Sequence, residues 1–205
     1  MNKLLFNSIV KIFILVVVLD CFGAAAHSSA RTETGYVIDA KRSFVKVSVH
    51  YALIPTMKGE FSDFKGTIHF NPHQSDGQMV DLSVKTKSII TGNDAWDRMI
   101  RSHRLLNAAK YPYMTFHSRS VHKSGGGFTV TGTVSLHGVT KEVTFPFEVI
   151  KQGRLSNQEY LMARGVWVLN RKDFDIIWNR TLDKGGVLVG DEVKIDWEIF
   201  ALKPS

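Results

Sequence analysis

GFTVTGTVSLHGVTKEVTFPFEV, residues 127–149, decides the fold class, because apolar and polar residues alternate through it on both sides of a turn. Phe128, Val130, Val134 and Leu136, with Gly132 in phase, fall on one face, and Thr129, Thr131, Thr133 and Ser135 on the other. The period is two, that of a strand and not of a helix. After a turn at 137–140, Val143, Phe145, Phe147 and Val149 share a face opposite Glu142, Thr144, Pro146 and Glu148. The segment reads as a long antiparallel hairpin. A one-residue slip would put Phe145 and Phe147 into water, so its register is well specified. Pro146 lacks an N–H, which predicts an edge, bulge or bend there.

The same period extends in both directions. Residues 36–39 lead into 43–51, where Val45, Val47 and Val49 alternate with Phe44, Lys46, Ser48 and His50 and the inward face stays open. In 59–72, Phe64, Gly66, Ile68 and Phe70 oppose a mostly polar set, Phe61, Asp63, Lys65, Thr67 and His69. In 79–90, Val80, Leu82, Val84 and Thr86 oppose Asp81, Ser83, Lys85 and Lys87. The period then changes. Trp96, Met99, Ile100 and Leu106 recur at helical intervals and predict one helix over 94–109, capped by Asn93 or Asp94. Strands resume with Met114 and Phe116, and a turn at 125–127 enters the hairpin. Residues 162–174 follow with Gly165, Trp167 and Leu169 in phase. After a Gly-rich loop at 184–190, the chain closes on Val193, Ile195, Trp197 and Ile199 alternating with Glu192, Lys194, Asp196 and Glu198. Roughly eight long strands and one helix predict a mainly β fold: an eight-stranded antiparallel, lipocalin-like barrel with the helix at an end. Barrels of this size can hold one small ligand. A β-sandwich is the structural alternative.

At 205 residues, 44% hydrophobic and 22% charged, the composition is that of a globular protein and excludes disordered and collagen-like classes. Lys3 and Lys11, an apolar run over 12–19 and the alanines 24–26 form a secretory signal-peptide pattern, with cleavage expected after Ala26. The run is short for a membrane span of about 20 residues. Removing 1–26 takes away Cys21, the single cysteine, so the mature domain, 36–203, rests on its core without disulfides. Its net charge falls only from +7 to +6, because the leader carries Lys3, Lys11 and Asp20. A basic exported chain is suited to anionic lipid head groups and to peripheral membrane contact; export argues against nucleic acid as partner.

GEFSDFKGTIHF at 59–70, the Lys87–Ile89 stretch, Arg101 and Ser102 before LLNAAKYP, TFHS at 115–118, GTVSLHGVTKEV at 132–143, RKDF at 171–174 and GDEV at 190–193 follow in a characteristic order. Through these motifs the chain from Tyr36 nearly to its end resembles the polyisoprenoid-binding YceI-like family. The resemblance implies an extended lipocalin-like barrel in the bacterial periplasm whose apolar interior holds a long isoprenoid chain, such as a quinone tail or polyprenyl lipid, or a fatty amide. It implies a binding protein and not an enzyme.

The residues point the same way. Among the eight histidines, His69 and His73 straddle Asn71 and Pro72, and His117, His122 and His137 sit on different elements or phases, so no metal site is expected. No nucleophile elbow, P-loop or dinucleotide fingerprint is present. Asp173 and Asp175 would share a strand face and are expected to be solvent-exposed or paired with Arg171 and Lys172. The function-bearing feature is the inward set Phe64, Ile68, Phe70, Leu82, Val84, Met114, Phe116, Val134, Leu136, Phe145, Phe147, Trp167, Leu169, Ile195 and Trp197, expected to hold a lipid tail or, alternatively, to fill a solid core. Arg98, Arg101 and Arg104, with Lys110, are the head-group candidates on the helix that gates one end. No cofactor is expected apart from the bound isoprenoid or fatty lipid, and a homodimer is left open. A second reading makes the chain a non-carrier accessory barrel that meets a membrane electron-transfer or envelope partner through its outer surface, using the Val45, Val47 and Val49 face. A third, a lipid-modifying enzyme, would need Lys46, Ser48 and His50 to converge inside.

Overall fold

The computed structural model describes residues 35–52, 54–71, 78–181 and 188–204. The expected leader, Cys21, His73 and most of the Gly-rich loop lie outside the described residues. The strands are β1 (Tyr36–Ile38), β2 (Phe44–Tyr51), β3 (Ile54–Phe61), β4 (Phe64–His69), β5 (Met79–Lys85), β6 (Ile89–Ile90), β7 (Tyr113–Ser124), β8 (Gly127–Leu136), β9 (Val139–Leu155), β10 (Gln158–Asn170) and β11 (Val189–Leu202), with the helix α1 (Asp94–Arg101) between β6 and β7.

All pairings are antiparallel. β1 pairs with β4, β4 with β5, and β5, β7, β8, β9, β10 and β11 follow in turn until β11 returns to β1. That ring is a closed eight-stranded barrel. Farther along, β11 pairs with β2, β2 with β3 and β3 with β6. β1 with β2, β3 with β4, and β5 with β6 are therefore three long strands, each interrupted once: by the 3₁₀ turn Ala40–Arg42, by a kink at Ser62 and Asp63, and by the 3₁₀ turn Thr86–Ser88. Joined in this way, eight strands run up and down in sequence order, so hairpin connections suffice throughout.

Each interruption shifts the inward phase. Tyr36 and Ile38 are buried before the first break and Val45 after it; Val84 is buried before the third and Ile89 after it. At the second, Phe61 and Phe64 are both buried, at 3% and 5% exposure. Phe61, expected on the polar face, therefore points inward, because the kink adds one residue between β3 and β4. β2 settles its open choice in the same manner. Val45 is 5% exposed and Tyr51 8%, while Lys46 and His50 are exposed on the outside.

The opening hairpin has the expected register, with Phe128 opposite Phe147, Val130 opposite Phe145 and Gly132 opposite Val143. Its turn is tighter than expected. Leu136 pairs with Val139, leaving His137 and Gly138 at φ of 54° and 83°, the type I′ geometry that suits strand twist. Pro146 lies within β9, and the ladder to β10, running from Leu155, ends at Phe147, the residue next to the proline, while β10 continues beside β11 to Asn170. A proline cannot donate to that ladder. The 3₁₀ turn Arg171–Phe174 reaches the hairpin end of β9: the Phe174 carbonyl lies 3.1 Å from His137 Nδ1, and Lys141 Nζ lies 3.6 Å from Asp173. RKDF thus leaves the strand on which it was expected. Asn170 Oδ1 accepts from Lys172 N at 3.0 Å, Asp175 ends the turn at φ 56°, and Arg171 and Lys172 pair with Asp191 and not with Asp173 or Asp175.

α1 is shorter than the 94–109 expectation. Asn93 Oδ1 caps it, accepting from Ala95 N at 3.0 Å and Trp96 N at 3.1 Å. It stops at Arg101 because the Ser102 hydroxyl donates back to the Met99 carbonyl at 2.7 Å, offering the backbone an alternative to another helical turn. Turns follow, with Asn107 at φ 45°, and they still bury Leu105 and Ala108.

Candidate ligand-binding site

One part of the barrel interior is an aromatic cluster and another opens into a cavity. In the cluster Phe145 is central: its ring lies 5.3 Å from Phe116, 5.5 Å from Trp167 in a stacked pair and 6.5 Å from Trp197 edge-on. Phe128 continues the cluster at 5.0 Å from Phe70 and 5.4 Å from Phe147. Small residues make room for these rings. A Cβ on Gly165 would lie 2.5 Å from the Trp197 indole, and one on Gly132 would lie 2.8 Å from the Phe116 ring.

Toward β2, β3 and α1 the packing opens into a cavity of about 140 Å³. Val47 and Val49 from β2, Met57 and Phe61 from β3 and Ile89 from β6 form one wall, Met99 and Ile100 of α1 cover it, and Met114, Leu136, Leu169, Val193 and Ile195 close it from the remaining strands. Ser48, Tyr51, Lys58, Thr91 and Arg171 are the polar residues on its border. A cleft so lined can take hydrocarbon without leaving polar groups unpaired.

Of the inward set read from the sequence, Met114, Leu136, Leu169 and Ile195 face this cavity. Phe64, Ile68, Phe70, Val84, Phe116, Val134, Phe145 and Phe147 are buried among other side chains, and Leu82, Trp167 and Trp197 are partly buried against them. Val47, Val49, Met57, Phe61, Ile89 and Met99 were missed. The alternation in 44–51 and the apolar face of the helix carried that signal, but only the phase shifts at the strand breaks bring them together.

The head-group candidates separate. Arg101 is committed to the fold: it donates to the Ile89 carbonyl and pairs with Asp97 at 3.4 Å. Arg98 is exposed on α1, and Arg104 is exposed with its guanidinium 5.9 Å from the Trp178 ring centre. Lys58, exposed beside the cavity, is a cation that sequence reasoning did not single out.

Two buried charged groups hold the covering segments. Asp97, 7% exposed, accepts from Thr91 N at 2.8 Å and Thr91 Oγ1 at 2.6 Å, fixing α1 to the end of β6. The Thr91 hydroxyl bond, with help from the Thr91 amide and Arg101 and against burial, holds the carboxyl below the ordinary aspartate value. Arg171, 3% exposed, spends all five N–H donors inside the protein. Nε donates to Gly190 O at 2.8 Å, Nη1 to Ile176 O and to Trp178 O at 2.9 Å, and Nη2 to Val189 O at 3.3 Å and Asp191 Oδ1 at 3.1 Å. It is a clamp across the cavity border, with nothing left over for a ligand. Burial lowers its pKa and Asp191 opposes that shift.

Lys46, Ser48 and His50 do not converge inside. Lys46 Nζ lies 4.1 Å above the Phe44 ring on the outer face. The Val45, Val47 and Val49 face is inward, so it forms no outer patch.

Residues 36–201 match the model of the YceI-like domain family. The chain belongs to the YceI-like family. It is similar to Protein YceI of Escherichia coli, 37% identical over 120 residues, a match covering 58% of this chain and 63% of that protein. Its YceI-like barrel superposes on the crystal structure of Burkholderia cenocepacia BcnA with a TM-score of 0.71 at 23% identity, over 80% of this chain and 99% of that one. A second solved structure, described as a polyisoprenoid binding domain from Saccharophagus degradans, gives a TM-score of 0.62 at 18% identity, over 83% and 99%. At these identities the solved structures establish a shared YceI-like fold.

Proposed function

We propose that this YceI-like protein is exported through a signal peptide at 1–26 and acts in the periplasm as a carrier or sequestering protein, its barrel, 36–203, holding the isoprenoid tail of a quinone- or polyprenyl-type lipid. The observation that carries this reading is the cavity between the sheet and α1, lined almost throughout by aliphatic, aromatic and thioether side chains. The polyisoprenoid binding described for the Saccharophagus degradans domain supports the ligand class. Tail burial would supply about 25 cal/mol per Å² of apolar area, less the ordering cost. The saturated Arg171 leaves polar recognition to other cations: Lys58, exposed beside the cavity, and the exposed Arg98 and Arg104 are the candidates to meet an anionic head group or lipid phosphates. The reading is one of binding and not of catalysis, with the lipid as the only bound group.

Mass spectrometry of an organic extract of protein purified from periplasm without detergent tests it. A prenyl lipid at near-stoichiometric amount is the expected result, and no recovered lipid together with no binding of added prenyl alcohols overturns it.

A further inference from the structure

Ile177 is the most exposed large apolar side chain among the described residues, at 69%. Single exposed apolar residues are common on protein surfaces; what separates this one is how it is held. The buried Arg171 guanidinium donates to the carbonyls of Ile176 and Trp178, on either side of it. The Asn179 side chain is tied to the backbone of Val189, donating to its carbonyl at 2.7 Å and accepting from its N–H at 3.0 Å. Ile176 lines the cavity, and Trp178 packs, like Met99 and Ile100 of α1, against the cluster of Tyr51, Met57 and Val189 on the cavity border. With the backbone drawn inward on both sides, the Ile177 side chain is fixed outward, one residue from the cavity lining.

The charge on the same segments is mainly positive. Arg104 sets its guanidinium 5.9 Å from the Trp178 ring centre, and Arg180 is exposed three residues beyond Ile177. Asp97 pairs with Arg101, Asp173 with Lys141, and Asp191 with Arg171 and Lys172. That leaves Arg98, Arg104, Lys110 and Arg180 without an ion pair among the described residues, against the exposed Asp94 and Asp175. We infer that Ile177, Trp178, Arg104 and Arg180 form a docking surface for an anionic phospholipid bilayer. Ile177 enters the acyl boundary, Trp178 stays at head-group depth, and the arginines meet lipid phosphates. The surface goes beyond the lipid reading above and rests on it only for its purpose. The patch takes up no lipid molecule itself; it holds the cavity against the bilayer from which a tail enters.

Sedimentation of the purified protein with large unilamellar vesicles tests it, with three parts phosphatidylethanolamine to one part phosphatidylglycerol compared with phosphatidylcholine alone. The wild type is expected to partition onto the anionic vesicles at least about fivefold more strongly than onto the neutral ones, and to lose that preference as salt is raised. Ile177→Asp is expected to weaken anionic partitioning by about tenfold or more, and Arg104→Ala and Arg180→Ala by about fivefold each. Val168→Asp, at an exposed apolar site on β10, is expected to leave it unchanged. Circular dichroism reports folding, and the arginine variants and the salt series decide even if Ile177→Asp misfolds. Ile177 lines no part of the cavity, so Ile177→Asp is expected to bind geraniol with wild-type affinity. A wild type that ignores anionic vesicles overturns the docking surface, and so does an equal loss in folded Ile177→Asp and Val168→Asp; retained geraniol binding in the same preparation leaves the lipid reading intact. Vesicle binding without geraniol binding removes the lipid reading and keeps the surface. A dimer in sedimentation velocity that Ile177→Asp splits, with no vesicle binding, makes a second copy of the chain the occupant and overturns the bilayer.

Discussion

Arg171 shows what one side chain does when its hydrogen-bond capacity is filled. Its guanidinium gathers carbonyls from 176–190 and the Asp191 carboxylate, so the segment after β10 and the start of β11 depend on one planar group. Lysine offers three donors from a point charge and cannot reproduce that fork. Arg171→Lys is expected to lower stability by about 3 kcal/mol, the scale for breaking a buried pair, read as a shift in the urea midpoint. Asp97 carries a pH signature. Its folded-state pKa lies below the 3.8 of an ordinary aspartate, so the stability it confers is fully present above that value and is lost as pH falls through the lower, folded one. Asp97→Asn is expected to be less stable than wild type at pH 7, with the gap constant down to about pH 4 and narrowing below it. A gap independent of pH down to full acid unfolding would contradict the assignment. Neither role was legible beforehand. RKDF was visible as a motif, but the acceptors of Arg171 come from loop carbonyls, which leave no mark in a sequence.

Among the elements, the strands were legible wherever one face is buried and the other wet. The 127–149 hairpin, β4 and β11 have the faces their alternation gives, because period two is enforced by the pleat. The phase shifts were not legible. Phe61 looked like the apolar member of a polar face, since nothing in GEFSDFKG announces that the Ser62–Asp63 kink adds a residue. The helix was overextended because Leu105 and Leu106 continue its apolar spacing while the hydroxyl of Ser102 turns the backbone away. The close approach of β10 to Trp197 gives an element-level test. Gly165→Ala places a Cβ against the indole and is expected to cost about 1–3 kcal/mol, seen as a lower melting temperature. Trp197→Leu combined with it is expected to recover part of that loss, because contacting sites are not additive. Simple additivity would mean that the two residues do not compete for space.

At the scale of the molecule, the barrel and its closure follow from eight alternating segments, and the expected helix starts where the sequence puts it. The position of the cavity needed the structure. Periodicity says which side chains point inward but not where inward-pointing side chains meet: three rings gather around Phe145, while the open space lies toward β2, β3 and α1. The fifteen candidates were therefore an inward face, of which Met114, Leu136, Leu169 and Ile195 border the open space. The central claim is that this space, and not the outer surface, binds lipid. Calorimetric titration of geraniol into the wild type and into Met114→Trp, a substitution that fills the cavity from its wall, tests it most directly. Loss of binding by at least about tenfold in a variant with wild-type circular dichroism is the expected result, and unchanged affinity in that folded variant would contradict it.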